Sequence, residues 1–391
     1  MTGVRLNLPE PDGSMRPYDL TAPRQWVRRS EGFASRVAFA AAHVVADPFA
    51  DNTPGAPARL DWDATLAFRR HLWAHGLGVA DAMDTAQRGM GLTWDTTAEL
   101  IRRSAAEAAA CGGRVACGAG TDQLPALGGA DTSGPPGLDD VVAAYEEQLA
   151  VVEDAGAQPI LMASRHLAAV ARDADDYRKV YDRLLAQVRG PVILHWLGPM
   201  FDPALTGYWG SADLAAATGT FLSLVRDHAD VVDGVKVSLL DADHEIAVRS
   251  GLPTGVRLYT GDDFNYPDLI ASGSDALLGI FAAIAPAAAT ALAALDAGDT
   301  AAYDEAFGPT VPLSRHLFGT PTYYYKTGIC FLAWLSGHQE AFTMVGGLQS
   351  ARSLPHLVEA FRLADRAGLL PDPDLAAARM RTLLALHGVA A

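Results

Sequence analysis

Short apolar runs alternate with amphipathic stretches along most of the chain. The runs fall at 36–46, 76–83, 114–120, 158–164, 191–197, 234–240, 256–261 and 276–282. Each is rich in Val, Ile, Leu or Ala and bounded by Gly, Pro or charged residues, a pattern that predicts buried strands. The segments between them read as helices. In 63–75, Leu66, Phe68, Leu72 and Trp73 recur at helical spacing, 93–111 opens on Thr93 as an N-cap, and 138–156 closes at Gly156. Eight strand–helix units predict an α/β fold, a (β/α)8 TIM barrel. An open doubly wound sheet has the same local pattern, but no G-x-G-x-x-G turn follows the first strand.

The organisation follows from where this alternation starts and stops. Residues 1–35 form an N-terminal extension, expected to pack over one barrel end. The barrel spans 36–298, and 299–391 is a helical C-terminal region, with helices expected at 322–337, 354–368 and 372–388. A Gly/Pro/Asp-rich loop at 128–140 follows the third strand, on the barrel end where active sites form.

Composition narrows the function classes. Half of the 391 residues are hydrophobic, enough for a large core, and the net charge of −16 argues against nucleic acid as a partner. The longest apolar stretch starts at 276 and is broken by Pro286. It reads as a strand running into a helix, so no membrane partner is expected. Cys111, Cys117 and Cys330 show no metal-ligand spacing and no disulfide framework, and the N-terminus has no signal-peptide pattern. A cytoplasmic protein is the expectation.

One residue breaks the apolar pattern. Lys236 sits within "VVDGVKVSLLDADHE", inside a β-branched strand. Side chains alternate along a barrel strand, so Val235 and Val237 would face the helices and Lys236 the interior. Shielded from water, its amine would lose proton affinity and become a nucleophile towards a carbonyl carbon. The competing reading is an interior ion pair with a carboxylate. Ser238 shares the interior face and is placed to orient the amine or a substrate.

Five segments, in order, carry a family resemblance: "RVACGAGTDQ", "PVILHW", "GVKVSLLD", "LYTGDDF" and "GSDALLGIFAAIAP". The chain resembles the dihydrodipicolinate synthase / N-acetylneuraminate lyase family, the class I aldolase-type barrels, over roughly residues 36 to 370. The resemblance implies that Lys236 forms a Schiff base with a small-molecule carbonyl substrate. The activity implied is a lyase or aldolase: C–C cleavage or condensation, or dehydration. No cofactor is implied beyond that covalent link, and a homo-oligomer is.

The departures from the family bear on substrate. His195 stands where the family's fifth strand ends in a proton-relaying tyrosine, and a histidine can do that work near neutral pH. The family's carboxylate-binding turn is replaced by "DTAQR". Only Thr85 keeps a hydroxyl, Asp84 would repel a carboxylate, and Arg88 would attract one from another direction. Pyruvate is therefore a poor match, and of a keto acid or a polyhydroxylated keto-sugar the latter fits Asp84 and Gln87 better, both being able to bind hydroxyls. Arg165 and His166 replace a pair of aromatics and are read as substrate-binding residues. Gly261 is read as letting the backbone approach the substrate, and Asp262 as a helix cap. The tyrosines before Lys326 are expected to pack or to make subunit contacts.

Two rival classes remain. His43, Asp47, Asp84, His166 and His195 are metal-ligand types at the predicted strand ends, as a divalent-metal aldolase, isomerase or hydrolase would have, though without tight spacing. A ligand-binding barrel without catalysis is the other.

Overall fold

An antiparallel hairpin, β1 (Arg5–Pro9) and β2 (Met15–Asp19), precedes eight parallel strands. These are β3 (Ala38–Ala41), β4 (Gly78–Asp81), β5 (Val115–Ala119), β6 (Gln158–Leu161), β7 (Val192–Leu197), β8 (Val232–Ser238), β9 (Arg257–Thr260) and β10 (Asp275–Leu278). They pair in chain order, and β10 closes on β3. The fold is thus the predicted (β/α)8 barrel, with each strand inside its predicted run except for one or two residues at the starts of β8 and β10. The structure, a computed structural model, describes residues 3–125, 127 and 136–389. Most of the loop 128–140 lies outside the described residues.

The strand pleat sorts side chains as expected. Val235 and Val237 join the large core between strands and helices. Phe39, Ala80, Ile160, Ile193, Tyr259 and Leu277 belong to a separate cluster inside the barrel. One buried ion pair joins the two layers: Arg69, on the helix Trp62–Trp73, holds Asp81 of β4 through two bonds of 2.8 and 3.0 Å. Both side chains are fully buried, and Arg69 also donates to the carbonyls of His43 and Thr65.

The last barrel helix, Phe281–Asp296, is followed by Thr300–Phe307, Thr310–Leu317, Tyr325–Leu335, Leu354–Arg366 and Pro373–Leu386. The last three match expectation; the helices at 300 and 310 are additional. Every residue of Tyr325–Leu335 is buried. After its first turn, which holds Lys326 and Thr327, its sequence is apolar on all sides, as a helix enclosed by its own protein requires. The core runs without a break from the barrel into this region.

The N-terminal extension departs from expectation. Its hairpin packs on the C-terminal helices, not on a barrel end: Tyr18 donates to Asp365 at 2.8 Å, and Arg362 donates to the Pro9 carbonyl. Residues 29–35 then tie to Asp296 through Arg29, Ala34 and Ser35. From Glu31 to Ser35 the extension does reach the N-terminal end of the barrel, where Gly76 leaves room for the Glu31 carbonyl. Among the described residues no helix is long and apolar enough to cross a membrane.

Candidate active site

Lys236 lies on the interior face of β8, in register with His195 of β7 and Tyr259 of β9. It is 5 % exposed, and among the described residues its amine has no hydrogen bond and no ion pair. Burial lowers its proton affinity; Asp84 and Asp263 act in the opposite direction. Gly261 gives the lysine its space. A Cβ there would strike the Ser238 hydroxyl, lie 2.7 Å from the Val237 carbonyl and 3.0 Å from Cε of Lys236.

Asp84 is delivered by a turn after β4. Ala82 takes a left-handed conformation (φ 52°), and a short 3-10 helix, Asp84–Ala86, follows. Asp84 and Thr85 thereby come to the barrel mouth. The Tyr325 hydroxyl, from the fully buried helix, meets both: it lies 2.7 Å from Oδ2 of Asp84 and 2.6 Å from Oγ1 of Thr85. Burial alone would raise the Asp84 carboxyl. Lys326, then Lys236, and the Tyr325 bond together outweigh it and hold Asp84 below the usual carboxylate range. An ionised Asp84 accepts, so the one Tyr325 proton points to it. Thr85 must then donate to the phenol oxygen. The chain Thr85 to Tyr325 to Asp84 has a single direction, and burial, then Asp84, keeps the phenol far from ionising.

His195 is buried beside Lys236. Nε2 contacts Oγ of Ser238 at 3.2 Å, and Nδ1 has no partner. Burial, then the Lys236 charge, keeps the imidazole neutral, well below its ordinary range. Asp263 also faces Lys236. Its Oδ1 accepts from the Ile280 amide at 2.8 Å, and burial pushes its carboxyl up towards the protonated form.

A cleft of about 590 Å³ meets this group at Asp84 and is lined also by Arg88, Ser164, Arg165, His166 and Lys326; Lys236 and His195 lie beyond its lining. A cavity of similar size at the other barrel end is lined by Arg257 and Asp233, which pair with each other at 2.8 Å.

A family model described as "Protein of unknown function (DUF993)" matches residues 6–389. The chain belongs to this family. No curated protein matches the DUF993 chain. Its fold is that of solved dihydrodipicolinate synthase structures. The enzyme from Aquifex aeolicus superposes with a TM-score of 0.64 at 13% identity, covering 86% of this chain and 99% of that one. A prophage protein of that family from Escherichia coli, solved in complex with pyruvate, gives 0.66 at 14% identity, covering 86% and 99%. A putative dihydrodipicolinate synthetase from Pseudomonas aeruginosa gives 0.63 at 16% identity, covering 85% and 99%.

The DUF993 barrel brings together Lys236, His195, Ser238, Gly261, Asp84 and Thr85. It gives Arg88 another task. The Arg88 guanidinium donates to the carbonyls of Ala82 and Gly118, to Gln148 at 2.5 Å and to both oxygens of Asp122. Its donors are spent on holding the β4 and β5 ends, so it corrects from a carboxylate receptor to a brace. Gln87 likewise turns to the Val345 carbonyl at 2.8 Å. Arg165 sits at the cleft rim, paired with Asp202. Both ring nitrogens of His166 are engaged, with Thr121 and with the Pro125 carbonyl, at 3.0 Å each. Asp262 accepts from the amides of Phe264 and Asn265, so it shapes the turn ahead of the next helix, as a cap does.

The rival metal ligands do not converge. His43 turns away from the mouth, its ring against Phe68 and its Nε2 on Gln339 at 3.0 Å. Among the described residues no three His, Cys, Asp or Glu side chains are grouped to hold a metal ion. Three residues at the site escaped the sequence reading: Asp263, Lys326 and Tyr325. For Tyr325 the expectation is packing or a subunit contact. A lysine and a tyrosine opening an otherwise apolar, fully buried helix were the available signal.

Proposed function

We propose that the protein is a class I lyase that works through a Schiff base on Lys236. The observation that carries this reading is the uncommitted buried amine of Lys236 beside an ionised Asp84. The neutral amine attacks a substrate ketone to give a carbinolamine. A proton delivered to the carbinolamine oxygen lets water leave, and an iminium forms. When a hydroxyl β to the iminium carbon gives up its proton, the C–C bond breaks and its electrons enter the enamine. Protonation of the enamine carbon and addition of water release the second product and restore Lys236. Run backwards, the same steps condense the fragments; loss of a β-leaving group from the enamine is the dehydration variant.

Two groups are suited to the proton transfers. Asp84 is ionised and can accept, directly or through Thr85 and Tyr325. His195 is neutral, with Nδ1 free to take part, and Ser238 holds its other nitrogen. The fold shared with the pyruvate-bound relative supports a carbonyl substrate. Asp84 disfavours a carboxylate set directly against it, which supports a polyhydroxylated ketone over pyruvate.

Borohydride trapping tests this. The protein is incubated with pyruvate and several keto-sugars, reduced, and examined by intact mass and peptide map. The expected result is an adduct on Lys236 that is absent from Lys236→Ala. An adduct elsewhere, or unchanged in the variant, rejects the mechanism. Size measurement in solution tests the further proposal of a homo-oligomer.

A further inference from the structure

Two buried amines share one ionised carboxylate at the barrel mouth. Lys326 is 3 % exposed and reaches the cleft from the first turn of the helix Tyr325–Leu335. Its Nζ donates to the Tyr323 carbonyl at 3.0 Å and makes no ion pair among the described residues. The other charges of the cleft are matched: Arg88 with Asp122, and Arg165 with Asp202. That leaves Asp84, which faces both Lys326 and Lys236.

The balance tightens during the reaction proposed above. The Schiff base on Lys236 must be in its protonated, iminium form to draw electrons from the breaking bond, so the site has to carry that cation through the reaction. Burial lowers the proton affinity of Lys326 and Asp84 is the main group that raises it; Asp202 acts in the same sense but is paired with Arg165, and burial holds Asp263 towards its neutral form, so Lys326 and the iminium depend chiefly on Asp84. An unmatched cation in a buried site is costly, and an acidic group on the substrate supplies the missing charge. A lysine amine is a compact point charge that serves a carboxylate or a phosphate.

We propose that Lys326 is the receptor for an acidic group, carboxylate or phosphate, carried by the ketone that Lys236 holds. The ketone end of this assignment rests on the Schiff-base reading; the acidic end rests on Lys326 itself.

The test compares three hydroxyketones in the trapping reaction: fructose, a fructose phosphate ester and a keto-gluconate. Half-saturating concentrations are read from the adduct mass on Lys236. At least one acidic ketone is expected to saturate about tenfold lower than fructose, the scale of a hydrogen bond to a charged group. Which acid gains separates phosphate from carboxylate. Lys326→Met should erase the preference, and Lys326→Arg, which keeps the charge, should retain it. No preference in the unaltered protein, or one that survives Lys326→Met, overturns the proposal. If no ketone labels Lys236, the lyase reading fails and the acid site is judged separately by calorimetry on Lys236→Arg, which keeps the cation without a nucleophilic amine. Tighter binding of an acidic ketone than of fructose, lost in the Lys236→Arg/Lys326→Met double variant, upholds Lys326; equal binding overturns it.

Discussion

Tyr325 donates its hydroxyl to Asp84 at 2.7 Å across 241 residues of sequence. A helix outside the eight strand–helix units thus completes the barrel mouth. Tyr325→Phe removes the only link between Thr85 and Asp84 through the phenol. Lys236 is untouched, so the trapped adduct should still form. Turnover should fall about 100-fold or more if the chain moves the proton. The stability loss should be about 1 kcal/mol, the scale of one hydrogen bond. Single-turnover kinetics beside trapping checks this: equal loss of both would place the phenol in structure alone.

Burial lowers the proton affinity of Lys236, which fixes the direction of its pH profile. Schiff-base formation needs the neutral amine. The rate of trapping should therefore reach half its maximum below the ordinary lysine value of about 10.4. Asp84→Asn removes the charge that favours the ammonium, and should shift the midpoint lower still. A midpoint at the ordinary value, measured by adduct mass across pH, would mean that Lys236 is solvated when it reacts.

The barrel was legible because its signal is local. Eight short apolar runs at regular intervals each carried their own evidence, and Lys236 stood out as a charge within one of them. The hairpin of β1 and β2 was not legible. Its strands, "RLNLP" and "MRPYD", mix charge and proline, and they are anchored by Asp365 from the far end of the chain. The same distance hid half of the site. Asp84 and Thr85 could be placed from the strand that precedes them, whereas Tyr325 and Lys326 reach the mouth only through packing of the C-terminal helices. Arg88 misled for a related reason. A guanidinium near a predicted site looks available until Asp122, Gln148 and two carbonyls are found around it.

The ion pair of Arg69 and Asp81 should behave as a buried pair does when one member is lost. Arg69→Met strands the Asp81 carboxylate and frees the carbonyls of His43 and Thr65. A loss of about 3–5 kcal/mol in urea unfolding is expected. Pairing it with Asp81→Asn should recover part of that loss, because the stranded charge is then gone. A double variant no better than Arg69→Met would assign the loss to the carbonyl bonds instead.

Glu245 gives the fold a pH dependence of known sign. It lies on the helix Ala242–Gly251, buried against β9 and β10, and accepts from Thr260 at 2.9 Å and Ser274 at 3.2 Å. Burial pushes its carboxyl up to about 8. In the unfolded chain it titrates at about 4.3. Between those values the folded state binds a proton that the unfolded state does not. The contribution of Glu245 is thus fully present below the unfolded value and is lost as pH rises through the folded one. Glu245→Gln keeps the shape and cannot ionise. The unaltered protein should lose stability relative to this variant on going from pH 5 to pH 8, read as the gap between their urea midpoints at each pH. Other titrating groups are common to both proteins and cancel in that gap. A gap that stays constant, or moves the other way, would mean that Glu245 is ionised in the folded protein at neutral pH. Its charge would then have to be balanced by Arg249, the cation that favours its ionised form.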